Sequence, residues 1–215
     1  MLFRRRATTA LEATPPALSG AAPAAPEAQS CPTLAKALDR VLKREKAAIL
    51  DLGPLCGSSA VYLAGRGARV SVCEFSPPRV SRWREATEAD PAPRESIAID
   101  HASGAFDLVL AWEHLDFTPP DRLAEVAGEL RRLLADGGWL LLFATNRPAT
   151  SGPNTERPGR YRIVADDRIV REATSGPARP RWTHPTREIE RALAPLKVQG
   201  IHLQRNQVRE FLVVK

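Results

Sequence analysis

Two hydrophobic rhythms, one helical and one of strand length, take turns along this chain, and they begin only after its first thirty residues. Residues 1–30 are dominated by Ala, Pro and Thr, with Arg4-Arg5-Arg6 near the start, so a disordered tail over 1–31 is expected. From Pro32, Leu34, Leu38, Val41 and Leu42 fall at helical spacing in a segment ending near Lys46. Ala47–Leu52 is then continuously apolar, as in a parallel strand covered on both faces. Gly57–Ala64 reads as a helix of small residues, and Arg69–Glu74 as a second strand. Ser76 caps a further helix with Pro77-Pro78 in its first turn and Val80 and Trp83 facing inward. Ser96–Asp100 is a short third strand and Phe106–Trp112 a fourth. Leu123, Val126, Leu130 and Leu133 make an amphipathic helix that Gly137-Gly138 stops, ahead of a fifth strand at Trp139–Phe143.

The last third changes texture. Tyr161–Val164 and Arg168–Glu172, joined by Ala165-Asp166-Asp167, read as an inserted hairpin. His184-Pro185 opens a helix carrying Ile189 and Leu193, and Lys197–Gln204 and Val208–Val214 alternate around Arg205-Asn206-Gln207. The alternation predicts an α/β fold: a doubly wound, mostly parallel seven-stranded sheet with helices on both faces and a C-terminal antiparallel hairpin. One domain over 32–215 is expected, with 145–185 as an inserted segment on the substrate side.

Composition adds bounds. With 215 residues and 43% hydrophobic content, the chain is long enough for one substantial core. No apolar run approaches the ~20 residues of a membrane span. Cys31, Cys56 and Cys73 are odd in number and follow no metal-ligand spacing, which points to a reducing, cytoplasmic setting. Cys56 sits in a glycine turn, where a small residue filling a tight bend is favoured over a nucleophile. The net charge of +6 lies wholly in residues 156–215, which hold 13 Lys/Arg against 7 Asp/Glu. That excess suits an anionic small molecule or a solvated arginine-rich surface, the second being favoured. No aromatic-interleaved basic platform for nucleic acid is found.

The chemistry concentrates at Asp51-Leu-Gly53-Pro-Leu-Cys-Gly57 and at Glu74, which lies 21 residues beyond Gly53. A carboxylate about 20 residues after such a turn, ending the second strand, is placed to accept the hydroxyls of a ribose. A pyrophosphate would need bare N–H groups at the turn; Leu55 replaces a glycine there and Pro54 has no N–H. The turn suits a nucleoside ligand without phosphate.

At these residues the chain resembles the class I S-adenosylmethionine-dependent methyltransferases. Ile49-Leu-Asp51-Leu-Gly53 plus Gly57 resembles their first motif, without its middle glycine, and Phe106-Asp107-Leu-Val-Leu resembles their fourth strand. Leu133-Leu-Ala-Asp-Gly137-Gly138 resembles the approach to their fifth. The resemblance implies S-adenosylmethionine as cofactor. Asp51, Gly53 and Gly57 would lie along its methionine part, Glu74 at the ribose, Phe75 on the adenine and Asp100 at the adenine amino group. Trp112 would line the pocket.

Methyl transfer from a sulfonium needs an acceptor held in line, and a base only where the acceptor must lose a proton. His114 is the first candidate base and Glu113 the second, both following the fourth strand. The Asn/Asp-Pro-Pro-aromatic signature of nucleic-acid amino-methylating enzymes is absent there, and no carboxylate cluster suggests a metal. Methyl transfer to a small molecule is therefore expected. The competing readings are a non-catalytic methyltransferase-like binding or scaffold protein and, third, a nicotinamide oxidoreductase.

Overall fold

The computed structural model describes residues 27–74, 97–147 and 154–215. The expected tail up to residue 26, Phe75 and the helix expected from Ser76 lie outside them. In chain order the elements begin with β1 (Gln29–Ser30), α1 (Pro32–Val41), β2 (Ala48–Asp51), α2 (Gly57–Gly65) and β3 (Arg69–Val72). After β4 (Phe106–Trp112) come α3 (Leu123–Leu133) and β5 (Leu134–Thr145), then β6 (Asn154–Glu156), β7 (Gly159–Ala165), β8 (Arg168–Ala173) and β9 (Arg179–Arg181). The chain closes with α4 (Thr186–Leu193), β10 (Lys197–Leu203) and β11 (Val208–Val214).

Among the described residues the main sheet has six strands in the order β10-β11-β5-β4-β2-β3, parallel from β3 to β5 and antiparallel from β5 to β10. Strand periodicity divides its side chains between two cores. Ile49, Leu108, Leu110, Leu141, Phe143 and Leu212 pack with α1 and with Leu63 of α2. Their sequence neighbours Leu50, Val109, Ala111, Leu140, Leu142 and Phe211 pack with Val126 and Leu130 of α3 and Ile189 and Leu193 of α4. Burial on both faces explains the uninterrupted apolar runs of β2, β4 and β5.

The expected sheet has seven strands, and the described residues supply six of them. The third strand predicted at Ser96–Asp100 is not formed by residues 97–100, although Ile97 and Ile99 are buried as a strand would bury them. The backbone of this stretch is satisfied by α3 side chains instead. Glu129 accepts the Ile99 N–H at 2.7 Å, while Arg132 donates to the carbonyls of Ile99 (2.9 Å) and His101 (2.6 Å). A guanidinium and a carboxylate thus satisfy the Ile99 N–H and the Ile99 and His101 carbonyls. The helix before β5 also stops earlier than its glycines suggested, at Leu133. Gly137 takes a left-handed turn (φ +70°), and a Cβ at Gly138 would lie 2.7 Å from the Ala135 carbonyl.

The segment beyond β5 builds a separate layer. β7 and β8 form an antiparallel pair, β1 adds to β8 (Gln29 opposite Ile169), and β6 pairs with β9. Residues 29 and 30, expected to end a disordered tail, are therefore ordered, because their backbone completes a sheet edge. The Cys31 N–H continues that attachment by donating to the Asp167 carbonyl at 2.6 Å. Ser59 of α2 fastens the layer down, accepting the Ile163 N–H at 2.9 Å and donating to the Tyr161 carbonyl at 3.4 Å.

Candidate functional site

In this sheet the chain runs from β2 outward to β3 and then crosses to β4 on the other side of β2, so the crevice at the carboxyl ends of β2 and β4 is the topological switch point. Asp51 ends β2 and is 4% exposed. Its Oδ1 accepts the Gly53 N–H at 2.9 Å and the Trp112 indole N–H at 2.7 Å. Burial pushes the Asp51 carboxyl up from its ordinary range, and these two hydrogen bonds pull it back in part.

Trp112, at the end of β4, adopts φ +42°, a left-handed conformation uncommon for a bulky side chain. A register shift between Leu110 and Trp112 accompanies it. The indole lies across the β2 turn, stacks on Tyr161 (centroids 4.8 Å apart, 9° between planes) and meets Phe143 edge-on at 5.5 Å. A Cβ on Gly53 would come within 2.9 Å of the indole Cδ1. The bare backbone at Gly53 is therefore required by Trp112. At Gly57 a Cβ would meet nothing within 4 Å.

Glu113 follows and is nearly buried. Its Oε2 accepts the Tyr161 hydroxyl at 3.0 Å, its Oε1 takes Arg171 Nη2 at 3.1 Å, and the Gly159 N–H also donates to Oε1. Burial and the adjacent Glu113 carboxylate raise the Tyr161 phenol well above its ordinary range. The sequence offered Glu113 as a second base; its geometry makes it the clamp between β4 and the β7–β8 layer. The His114 ring donates from Nδ1 to the Ala111 carbonyl at 2.5 Å. Asp116 is wholly buried, bound by Arg181 (Nη2 2.6 Å, Nε 3.0 Å) and by the Thr145 N–H (2.9 Å). Burial pushes its carboxyl up to about 7 against the pull of Arg181. His184 fixes the same loop, its Nε2 lying 2.9 Å and 3.0 Å from the Leu115 and Thr118 carbonyls.

A cleft of about 600 Å³ opens between these strand ends and the β6–β9 layer. Pro54, Leu55, Glu74, Trp112, His114, Phe117, Pro158, Arg160, Thr174 and Arg179 are among the residues that line it. Of the residues expected at the site, Glu74, Trp112, Glu113 and His114 meet in this cleft. Asp51 and Gly53 lie beneath Trp112 at its wall, and Gly57 opens α2 beside it. Asp100 is exposed on the turn after Ile99 and does not line the cleft, and Phe75 lies outside the described residues. Leu55, which replaces a motif glycine, is 64% exposed and leaves the bend open.

Sequence reasoning missed Tyr161, Arg171 and Arg181, which join the inserted layer to the strand ends, and Arg160 and Arg179 at the cleft rim. The available signal was the arginine density of residues 157–181. Among the described residues, no group of three or more His, Cys, Asp or Glu side chains is placed to hold a metal ion, and no helix is long and apolar enough to cross a membrane.

Comparison with known proteins places this geometry. Residues 50–142 match the sequence model of a methyltransferase domain. No curated protein matches the chain. An S-adenosylmethionine dependent methyltransferase from Mesorhizobium loti is similar in structure at 15% identity, over 86% of this chain and 96% of that one, with a TM-score of 0.52. A SAM-dependent methyltransferase from Methanosarcina mazei is similar at 14% identity, over 80% and 93%, with a TM-score of 0.50. The Burkholderia thailandensis 1,6-didemethyltoxoflavin-N1-methyltransferase, solved with 1,6-didemethyltoxoflavin and S-adenosylhomocysteine, aligns at 20% identity over 86% and 76%, with a TM-score of 0.48. Residues 50–142, which hold the β2 turn and strands β3, β4 and most of β5, are thus similar to a methyltransferase domain, and the chain shares the fold of the S-adenosylmethionine dependent methyltransferase from Mesorhizobium loti.

Proposed function

We propose that this protein transfers a methyl group from S-adenosylmethionine to a small-molecule acceptor in the cleft at the ends of β2, β3 and β4. One observation carries the reading: the turn after β2 and the acid after β3, 21 residues apart in sequence, line the same cavity at the switch point of the sheet. Glu74 is exposed within that cavity, and its two oxygens suit the paired hydroxyls of a ribose. The Pro54-Leu55 turn and the open space at Gly57 leave room for the amino-acid end of the cofactor. Asp51 and Gly53 act one step removed, by holding the Trp112 wall in place.

When bound, the cofactor supplies an electrophilic methyl on a sulfonium. His114 then has one task. Its ring is oriented by the bond from Nδ1 to the Ala111 carbonyl, and it takes the proton that the acceptor atom gives up as it forms its bond to carbon. Glu113 positions the covering layer through Arg171 and Tyr161, so that the acceptor is oriented and water is kept from the reacting atoms. The acceptor is a small molecule because the cleft's volume falls within the roughly 300–1,000 Å³ usual for ligand pockets. Calorimetric titration with S-adenosylmethionine tests the reading: saturable one-to-one binding is expected, and no heat at millimolar ligand would end it in favour of a non-catalytic domain.

A further inference from the structure

We infer that Arg160, an arginine of the inserted layer, receives the carboxylate at the amino-acid end of the cofactor. This rests on the cofactor reading above and names the chain's own partner for that ligand's one anionic group.

The turn after β2 offers an anion few donors of its own. The Gly53 N–H is committed to Asp51 Oδ1, and Pro54 has no N–H. A carboxylate brought into that turn therefore calls for a cation from elsewhere in the chain.

The inserted layer supplies one, because β7 lies against the first turn of α2. Ser59, the third residue of that helix, accepts the Ile163 N–H at 2.9 Å and donates to the Tyr161 carbonyl at 3.4 Å. Arg160 immediately precedes Tyr161 and lines the cleft together with Pro54 and Leu55. Its charge is felt in the turn itself. Burial raises the Cys56 thiol, but hydrogen bonds from Ser58 and Ser59 and the Arg160 charge outweigh it, so the thiol stands below its ordinary range.

The guanidinium is held in place and still has donors to give. Glu172 Oε2 accepts Nε and Nη2 of Arg160 at 3.0 and 2.6 Å, and Nη1 has no partner among the described residues. The outer edge, where Nη1 and Nη2 each carry an N–H pointing the same way, matches the two oxygens of a carboxylate. The Arg160 side chain is 43% exposed, so a ligand can reach that edge. Glu172 does not cancel the local charge, since its Oε1 also accepts Nε of Arg162 at 2.9 Å and one carboxylate serves two guanidinium groups. Glu113, which shares the cleft, is taken up by Arg171, Tyr161 and the Gly159 N–H. A bound cofactor then bridges the β2 turn and the inserted layer.

The test measures binding to the full chain by calorimetry, with S-adenosylhomocysteine and with its decarboxylated form, which keeps the adenosine, the thioether and the amine. The parent is expected to bind the acid about tenfold or more tighter. Arg160→Gln is expected to weaken S-adenosylhomocysteine about tenfold and to leave the decarboxylated ligand within about twofold, which also reports that the variant is folded. Arg160→Lys, a point charge without the paired edge, is expected to keep part of the gap. Arg162→Gln removes the other guanidinium from Glu172 and is expected to leave the gap within about twofold, separating a direct contact from the general basic field. Equal affinity for the two ligands in the parent, a gap that survives Arg160→Gln, parallel loss of both ligands in that variant, or a gap closed as fully by Arg162→Gln overturns the inference and leaves the cofactor reading standing. Binding of neither ligand to the parent overturns the cofactor reading, and this inference with it.

Discussion

Asp51 and Glu74 are both carboxylates at or just beyond the carboxyl ends of adjacent parallel strands, yet the fold uses them in opposite ways. Asp51 is buried, and its Oδ1 takes both the Gly53 N–H and the Trp112 indole. Glu74 is exposed and faces an open cleft. The difference teaches that two acids at neighbouring strand ends can be given to architecture and to an open surface. Asp51 and Gly53 shape the wall, and Glu74 is the carboxylate left open to the cleft.

The contrast can be broken most forcefully at the indole. Trp112→Ala removes a buried ring stacked on Tyr161 and strips Asp51 of a donor, so a stability loss of about 3–5 kcal/mol is expected in denaturant unfolding. A loss under about 1 kcal/mol would mean that the wall is not held from Trp112. Next comes Asp51→Ala, which orphans two buried N–H groups and should cost about 1–3 kcal/mol of stability while shifting cofactor affinity only a few-fold. The reverse pattern, full stability with lost affinity, would merge the two carboxylates into one role. A third acid, Asp116, sharpens the comparison through pH. Its native carboxyl, pushed up to about 7, holds a proton that the unfolded chain releases near pH 4. The native state therefore binds more protons between those values, and this contribution to stability falls as pH rises from about 4 to 7 and is level above. Asp116→Asn should flatten that part of the stability–pH curve; an unchanged slope would show Asp116 ionised throughout.

The parallel core was legible because strands buried on both faces have to be apolar at every position, as in Ala48-Ile-Leu and Leu108-Val-Leu. The third strand misled for a physical reason. Ile97 and Ile99 carry a strand's burial pattern, and nothing in that pattern reveals that Glu129 and Arg132 satisfy the backbone. That Glu74 meets the β2 turn in one cleft was legible through its spacing from Gly53. The roles of Gly53 and Asp51 were not, because they depend on an indole 61 residues beyond Asp51 turning back over the bend. Nor were the clamps from Arg171 to Glu113 and from Arg181 to Asp116, which span 58 and 65 residues and follow no periodicity. Charge density in the last third announced arginines without saying which carboxylates they meet.

Titration of S-adenosylhomocysteine into the parent protein and into Glu74→Ala tests the central assignment most directly. Loss of hydrogen bonds from the ribose to a charged group predicts weaker binding by about 1.5–3 kcal/mol, roughly tenfold to a hundredfold, with no change in melting temperature because Glu74 is exposed. Equal affinity in the two proteins would contradict it.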